Sequence, residues 1–231
     1  MTTTLITGAN KGLGREAARQ LVAAGHTVYV GARDESRGQE AAAQLGARFV
    51  LIDVTSDDLV AAAAAQLRDE AGHLDVLVNN AGIPGGGTAA ADVTAADVQR
   101  VYATNVYGLV RVTHAFLPLL QASAAPVIVN VSSGLGSFGV MTDSGRWESQ
   151  YPTLAYGSAK AAVNMLTVQY AKTLPQLKIN AVDPGYTATD LNGGTGTQTV
   201  QQGAQIIVRM ALAGPDGPTG GYFDANGLVA W

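Results

Sequence analysis

The sequence contains no cysteine. Disulfides, thiolate metal sites and cysteine nucleophiles are therefore excluded. Histidine is scarce too: His26, His73 and His114 are scattered at no metal-ligand spacing, and no metal site is expected. Charged residues make up only 14%, with Lys+Arg 14 against Asp+Glu 18 and a formal net charge of -4. Such a balance offers no basic field to a polyphosphate backbone, so nucleic acid is not an expected partner. No apolar run approaches the roughly 18 residues that a membrane span needs. The opening MTTTLITGAN lacks both the basic start and the long apolar stretch of a secretory leader. A soluble, cytoplasmic protein with no membrane association is the expectation. Apolar residues are plentiful at 47%, and glycines number 28. Over 231 residues this suits one compact α/β domain, 1–231, with a buried core and many tight turns.

Short β-branched or aliphatic runs alternate with Ala-rich stretches, the pattern of βα units that build a parallel sheet covered on both faces. Strands are predicted at 3–7, 27–31, 48–53, 76–79, 127–132, 178–183 and 221–224. Helices are predicted at 14–25, 36–45, 56–71, 95–121, 156–173 and 199–213, with Asp34, Thr55 and Thr94 as N-caps of the second, third and fourth. The fold class is α/β: a single-domain Rossmann fold with a doubly wound, parallel, seven-stranded sheet. The irregular stretches 82–91, 134–153 and 186–197 are long for simple connections. In a parallel sheet they gather at the carboxyl ends of the strands, where ligands bind. They are the candidate substrate walls.

The first strand-to-helix turn reads Thr7-Gly8-Ala9-Asn10-Lys11-Gly12-Leu13-Gly14. Gly8 permits a tight turn, Gly12 lets backbone approach a pyrophosphate, and Gly14 lets helix and strand pack closely. Phosphate would sit on the helix amide donors. This glycine spacing resembles the short-chain dehydrogenase/reductase family, and the cofactor half looks most like its carbonyl reductases. The family's NAD-binding members usually carry an acid at the end of the second strand, where this chain has Ala32. Arg33 follows, Arg37 lies one helical turn on, and Lys11 sits in the glycine loop. A 2′-phosphate needs such cations, so the resemblance implies NADP(H). Read singly, Arg33 and Arg37 are solvated charges at a helix start. The resemblance further implies adenine contacts from Asp53-Val54, although Asp53 could equally initiate the helix beside Thr55. Asn80-Ala81-Gly82 corresponds to the motif that lines the ribose side. Pro184 and Gly185 correspond to the turn along the nicotinamide, with Thr189, or alternatively Thr187, bonding its carboxamide or phosphate.

Tyr156 and Lys160 stand four apart on an apolar helix, which brings phenol and ammonium onto one face. A free tyrosine has a pKa of about 10. A cation about 4 Å away at an effective dielectric near 20 offers about 4 kcal/mol towards the phenolate, which predicts a phenol more acidic than usual. The resemblance assigns Tyr156 as acid and base, with Lys160 beside it and both also holding the cofactor. It assigns Ser133, in preference to Ser132, to the substrate oxygen. Asn105 matches the family's helix asparagine, whose carbonyl holds a water linked to Lys160; alone, Asn105 would be a polar residue that bends its helix.

One departure from the family pattern stands out. The interval from Ser133 to Tyr156 is longer than in most members and shorter than in the monomeric carbonyl reductases. Its extra stretch, 137–152, carries Phe138, Met141, Trp147 and Tyr151, which either line a ketone pocket or form a surface flap. Arg146 and Glu148 read as exposed loop charges or as substrate anchors. Trp231 packs on a neighbour or on its own core. The expected function is an NADPH-dependent oxidoreductase that reversibly interconverts a small-molecule ketone or aldehyde and its alcohol. A reductase dedicated to one steroid, polyketide or 3-oxoacyl intermediate is the alternative, and a non-catalytic NADP(H) sensor a further one. A homodimer or homotetramer is expected.

Overall fold

The computed structural model describes residues 2–86 and 89–231. Seven strands run parallel: β1 (Thr3–Thr7), β2 (Thr27–Ala32), β3 (Arg48–Leu51), β4 (Val76–Asn79), β5 (Val127–Val131), β6 (Lys178–Val182) and β7 (Tyr222–Asp224). The helices are α1 (Gly12–Ala23), α2 (Glu35–Leu45), α3 (Asp57–Ala71), α4 (Ala95–Tyr102), α5 (Gly108–Gln121), α6 (Phe138–Met141), α7 (Leu154–Thr173) and α8 (Val200–Ala211). An eighth strand, β8 (Gly227–Leu228), pairs antiparallel with β7, so the sheet exceeds the predicted seven strands. Its turn is closed by Asp224 Oδ1, which accepts the Asn226 and Gly227 amides at 2.7 and 3.0 Å.

The strand order is β3-β2-β1-β4-β5-β6-β7-β8. Consecutive strand residues supply opposite faces. Ile6, Val78 and Val129 pack on one side against Ala17 and Leu21 of α1, Ala41 of α2 and Ile207 of α8. Leu5, Leu77 and Ile128 pack on the other against Leu67 of α3 and Phe116 of α5. Each fully buried side chain of this kind contributes about 1.5–3 kcal/mol. The order reverses between β1 and β4, which opens a crevice at the carboxyl ends of those strands.

Two local expectations are corrected. The predicted continuous helix 95–121 is broken by a π-helical turn, Ala103–Tyr107, which carries Asn105. The cap of α3 is Ser56, whose hydroxyl accepts the Leu59 amide, rather than Thr55. Thr55 instead bonds Asp53 Oδ1 through its amide and hydroxyl at 2.9 and 2.7 Å. Asp34 and Thr94 do cap α2 and α4. Among the described residues, no helix is long and apolar enough to cross a membrane.

Candidate active site

A cavity of about 680 Å³ lies along the carboxyl ends of β1, β2, β4, β5 and β6. One end is the glycine loop. Gly8 and Gly12 adopt φ of 65° and 56°, a region that penalises side chains. A Cβ on Gly14 would stand 2.5 Å from Asn80 Nδ2 and 2.8 Å from the Gly8 carbonyl, so only glycine lets α1 begin this close to the sheet. No side chain caps α1 and its first turn holds no acid. Its free amides and positive end therefore face the cavity through Gly12, Leu13 and Gly14. Thr7 and Asn80 fix the neighbouring strand end: the Thr7 hydroxyl accepts the Asn80 and Ala81 amides, both at 3.0 Å, and Asn80 Nδ2 donates to the Thr7 carbonyl at 2.8 Å.

Asn10, Lys11, Arg33, Asp53, Val54, Ala81 and Gly82 line this end, as do Pro184, Gly185, Thr187 and Thr189 from beyond β6. The three cations do not converge as expected. Lys11 is bound to Asp190 at 2.8 Å, whereas Arg37 leans on Asp34 at 3.7 Å and stands outside the lining. Arg33 lines the cavity and has no ion pair or hydrogen bond to another described residue through its side chain. Of the two threonines, Thr187 is buried and its hydroxyl is committed to the Pro184 carbonyl and Gln198. Thr189 faces Gly12, where a Cβ would lie 3.6 Å from its methyl.

At the other end, Ser133, Tyr156 and Lys160 meet. Ser133 leaves β5 as the cap of a short 3-10 turn, Gly134–Gly136. A Cβ on Gly136 would lie 2.5 Å from the Lys160 carbonyl carbon, so this turn sits directly on α7. The Ser133 hydroxyl accepts the Leu135 amide at 3.3 Å and lies near enough to the Tyr156 phenol to oppose the rise in its pKa. Ser132 also lines the cavity, but it is buried and its hydroxyl is committed to Asn164 Oδ1 at 2.6 Å. Lys160 donates to the Val131 carbonyl at 2.7 Å, and its ammonium lies 5.5 Å from the centre of the Tyr156 ring.

The predicted acidic phenol is overturned. Burial and the charge of Asp183 push the Tyr156 phenol up, against a smaller lowering by Ser133. The Lys160 ammonium, 5.5 Å from the ring centre, does not offset this rise. Burial lowers Lys160 itself to about 8, against the opposing pull of Asp183.

Asn105 stands outside the main cavity. Its side chain clamps Ile83, accepting the amide at 2.9 Å and donating to the carbonyl at 3.0 Å. It shares with Lys160, Thr7 and Asn79 a small cavity of about 10 Å³, roughly the room that one water takes.

The long stretch before Tyr156 splits in two. Trp147 and Tyr151 line the cavity, but Phe138 and Met141 do not. They belong to α6, which is tied to the C-terminus: Ser137 donates to the Ala230 carbonyl at 2.6 Å and the Gly139 amide to that of Trp231 at 2.8 Å. Trp231 stacks on Tyr222 of the same chain, centroids 5.5 Å apart. Glu148 is no exposed loop charge; it is buried, and Arg146 holds both its oxygens. Asp183, Tyr186 and Gln198 are further cavity or site-supporting residues that the sequence did not single out. The Gly82 to Ala91 loop lines the cavity through Ile83, Pro84, Gly85 and Gly86; Gly87 and Thr88 lie outside the described residues.

A model of the family described as short chain dehydrogenase matches residues 2–199. The chain belongs to the short-chain dehydrogenase family. This is a family of oxidoreductases that use a nicotinamide cofactor. Among curated relatives, (-)-isopiperitenone reductase of Mentha piperita is 33% identical over 305 aligned positions, covering 98% of this chain and 97% of that protein. Among solved structures, NADPH-bound carbonyl reductase from chicken fatty liver superposes with a TM-score of 0.88 at 27% identity, covering 100% of this chain and 99% of that one. Salutaridine reductase of Papaver somniferum superposes with a TM-score of 0.84 at 28% identity, covering 97% and 100%. The short-chain dehydrogenase cofactor fits this chain's glycine cradle, where the uncapped α1 amides face the cavity through Gly12, Leu13 and Gly14 with no acid in the first turn.

Proposed function

We propose that this short-chain dehydrogenase is an NADP(H)-dependent reductase that converts a ketone or aldehyde to an alcohol, reversibly. The observation that carries the reading is the meeting of Ser133, Tyr156 and Lys160 at one end of a cavity whose other end is a glycine cradle with an untethered Arg33. When bound, the nicotinamide supplies or accepts hydride. Gly8, Gly12 and Gly14 would admit the pyrophosphate to the α1 amides, and Arg33 would take the 2′-phosphate, to which a guanidinium fork is matched. Lys11 would assist only by exchanging Asp190 for phosphate.

Ser133 donates a hydrogen bond to the substrate oxygen and so stabilises the negative charge that develops there. Tyr156 transfers its phenolic proton to that same oxygen, completing the O–H bond of the alcohol. The phenol is protonated at neutral pH and so carries the proton that reduction consumes, while burial and Asp183 make it a weaker acid than a free tyrosine. Lys160 holds a positive charge over the ring face and stands between Tyr156 and the small cavity at Asn105, the path for replacing the proton. Asn105 fixes Ile83 and with it the loop that passes Tyr156. Relatives that bear the name of one dedicated substrate favour the variant in which the chain serves a single biosynthetic ketone.

NADPH and NADH oxidation in the presence of ketones tests the reading in the wild type and in Arg33→Ala. The wild type should prefer NADPH, and the variant should lose about tenfold or more in NADPH efficiency while NADH efficiency stays nearly unchanged. Equal efficiency of the two cofactors in the wild type would refute NADP(H) specificity.

A further inference from the structure

The substrate end of the cavity has two features that proton transfer does not use. One is aromatic. Trp147 stands edge-on to Tyr151 at 6.3 Å between centroids and lies tilted against Tyr186 at 5.2 Å. All three line the cavity, and Trp147 and Tyr151 keep about half of their surface exposed, 48% and 50%. Rings left open at a cavity wall offer their faces to a flat partner or a cation.

The other is a pair of acids. Glu148 and Asp183 are buried, line the same cavity, and converge on Gly134. A Cβ there would lie 3.2 Å from Glu148 Oε1 and 3.0 Å from Asp183 Oδ2. Arg146 grips Glu148 at 3.1 and 2.8 Å but is not part of the lining, so the compensating cation stands behind the acid. Asp183 Oδ1 accepts the Gly185 amide at 2.9 Å. Asp224 adds a third negative charge within electrostatic reach of Asp183 and Arg146. Arg146 thus lies within electrostatic reach of all three acids, while burial raises the carboxyl of Asp183. Lys160, the cation nearest the reaction centre, is committed to the Val131 carbonyl and the Tyr156 ring. Lys11 and Arg33 belong to the glycine-cradle end.

Resting on the reductase reading, we propose that Glu148 and Asp183 are specificity-determining residues. They restrict the site to flat, ring-bearing carbonyl compounds that are neutral or cationic, and exclude those with a carboxylate or phosphate on the ring. The aromatic wall supplies the stacking surface. The acids, themselves buried and with no unpaired cation beside them among the described residues, raise the cost of bringing in an anion.

Three para-substituted acetophenones of similar size test this with NADPH as reductant: 4-acetylbenzamide, 4-acetylbenzoate and 4-acetylbenzylamine. In the wild type, kcat/KM for the benzoate should fall about tenfold or more below that for the amide, mostly through KM. The amine should match or exceed the amide. The gap should narrow at high salt and in Glu148→Gln, which preserves the shape and a hydrogen bond to Arg146. A benzoate reduced as efficiently as the amide by the wild type would overturn the proposal without touching the reductase reading, and this comparison needs no variant to fold. A gap that persists unchanged in both Glu148→Gln and Asp183→Asn would overturn it as well. Absence of turnover with all three ketones, while NADPH binds, would instead count against the reductase reading on which the proposal rests.

Discussion

Lys160 is a buried ammonium with a single carbonyl partner, and it carries a cost in stability. Its pKa falls from the ordinary 10.5 to about 8 in the folded chain. Below pH 8 the amine is charged in both folded and unfolded states, and the penalty of burying the charge is fully present. Between pH 8 and 10.5 the unfolded chain binds more protons, so stability rises with pH; above 10.5 the penalty is gone. The gap corresponds to about 3 kcal/mol, and losing the bond to Val131 costs about 1 kcal/mol. Lys160→Met should therefore be more stable than the wild type by about 2 kcal/mol near neutrality, an advantage that shrinks as pH rises above 8. Urea unfolding midpoints across pH would check this; a variant less stable at pH 7, or a difference that ignores pH, contradicts it. At this scale the meeting of Tyr156 and Lys160 in one cavity was legible, because the two declare themselves by spacing. Their electrostatics were not. The direction of the Tyr156 shift depends on burial and on Asp183, a residue 27 positions away that only the fold brings near.

Elements hold these residues in place by close backbone approach. The turn after β5 rests on α7 because Gly136 has no side chain: an added Cβ would lie 2.5 Å from the Lys160 carbonyl carbon and 2.6 Å from its Cβ. Neither atom can move without shifting α7. Gly136→Ala should cost about 2 kcal/mol or more and separate Ser133 from Tyr156, so both thermal stability and kcat should drop. Wild-type stability in this variant would show that the two elements are not locked together. Strand positions were readable from continuous apolar runs, and the helices from Ala-rich stretches between them. The π turn at Asn105 was readable only as the alternative of a helix bend, because the clamp that its side chain makes on Ile83 is tertiary. Nor was β8, at two residues too short to show a pattern, although its Asn-Gly pair is a turn signal. Thr55 and Ser56 are both good caps, and Asp53 decides between them by engaging Thr55.

At the scale of the molecule, the doubly wound sheet brings the glycine cradle and the Ser133, Tyr156 and Lys160 cluster to one crevice. The reversal between β1 and β4 opens the cradle, and β5, α7 and the loop after β6 close the opposite end. The glycine spacing made the first half legible. The second was legible only in part, because the stretch 137–152 mixes a C-terminal anchor with a cavity wall. Phe138 and Trp147 look alike in sequence, yet only Trp147 lines the cavity. The burial of Glu148 was hidden for the same reason: a charge in an irregular loop is ordinarily solvated, and here Arg146 and Asp183 enclose it.

The central claim is that Tyr156 gives its proton to a substrate oxygen beside a bound dinucleotide. Single-turnover NADPH oxidation by Tyr156→Phe, measured together with NADPH affinity, tests it most directly. The account predicts unchanged NADPH binding and a rate reduced by about a hundredfold or more. A variant that binds NADPH and reduces the ketone at a rate close to that of the wild type would contradict it.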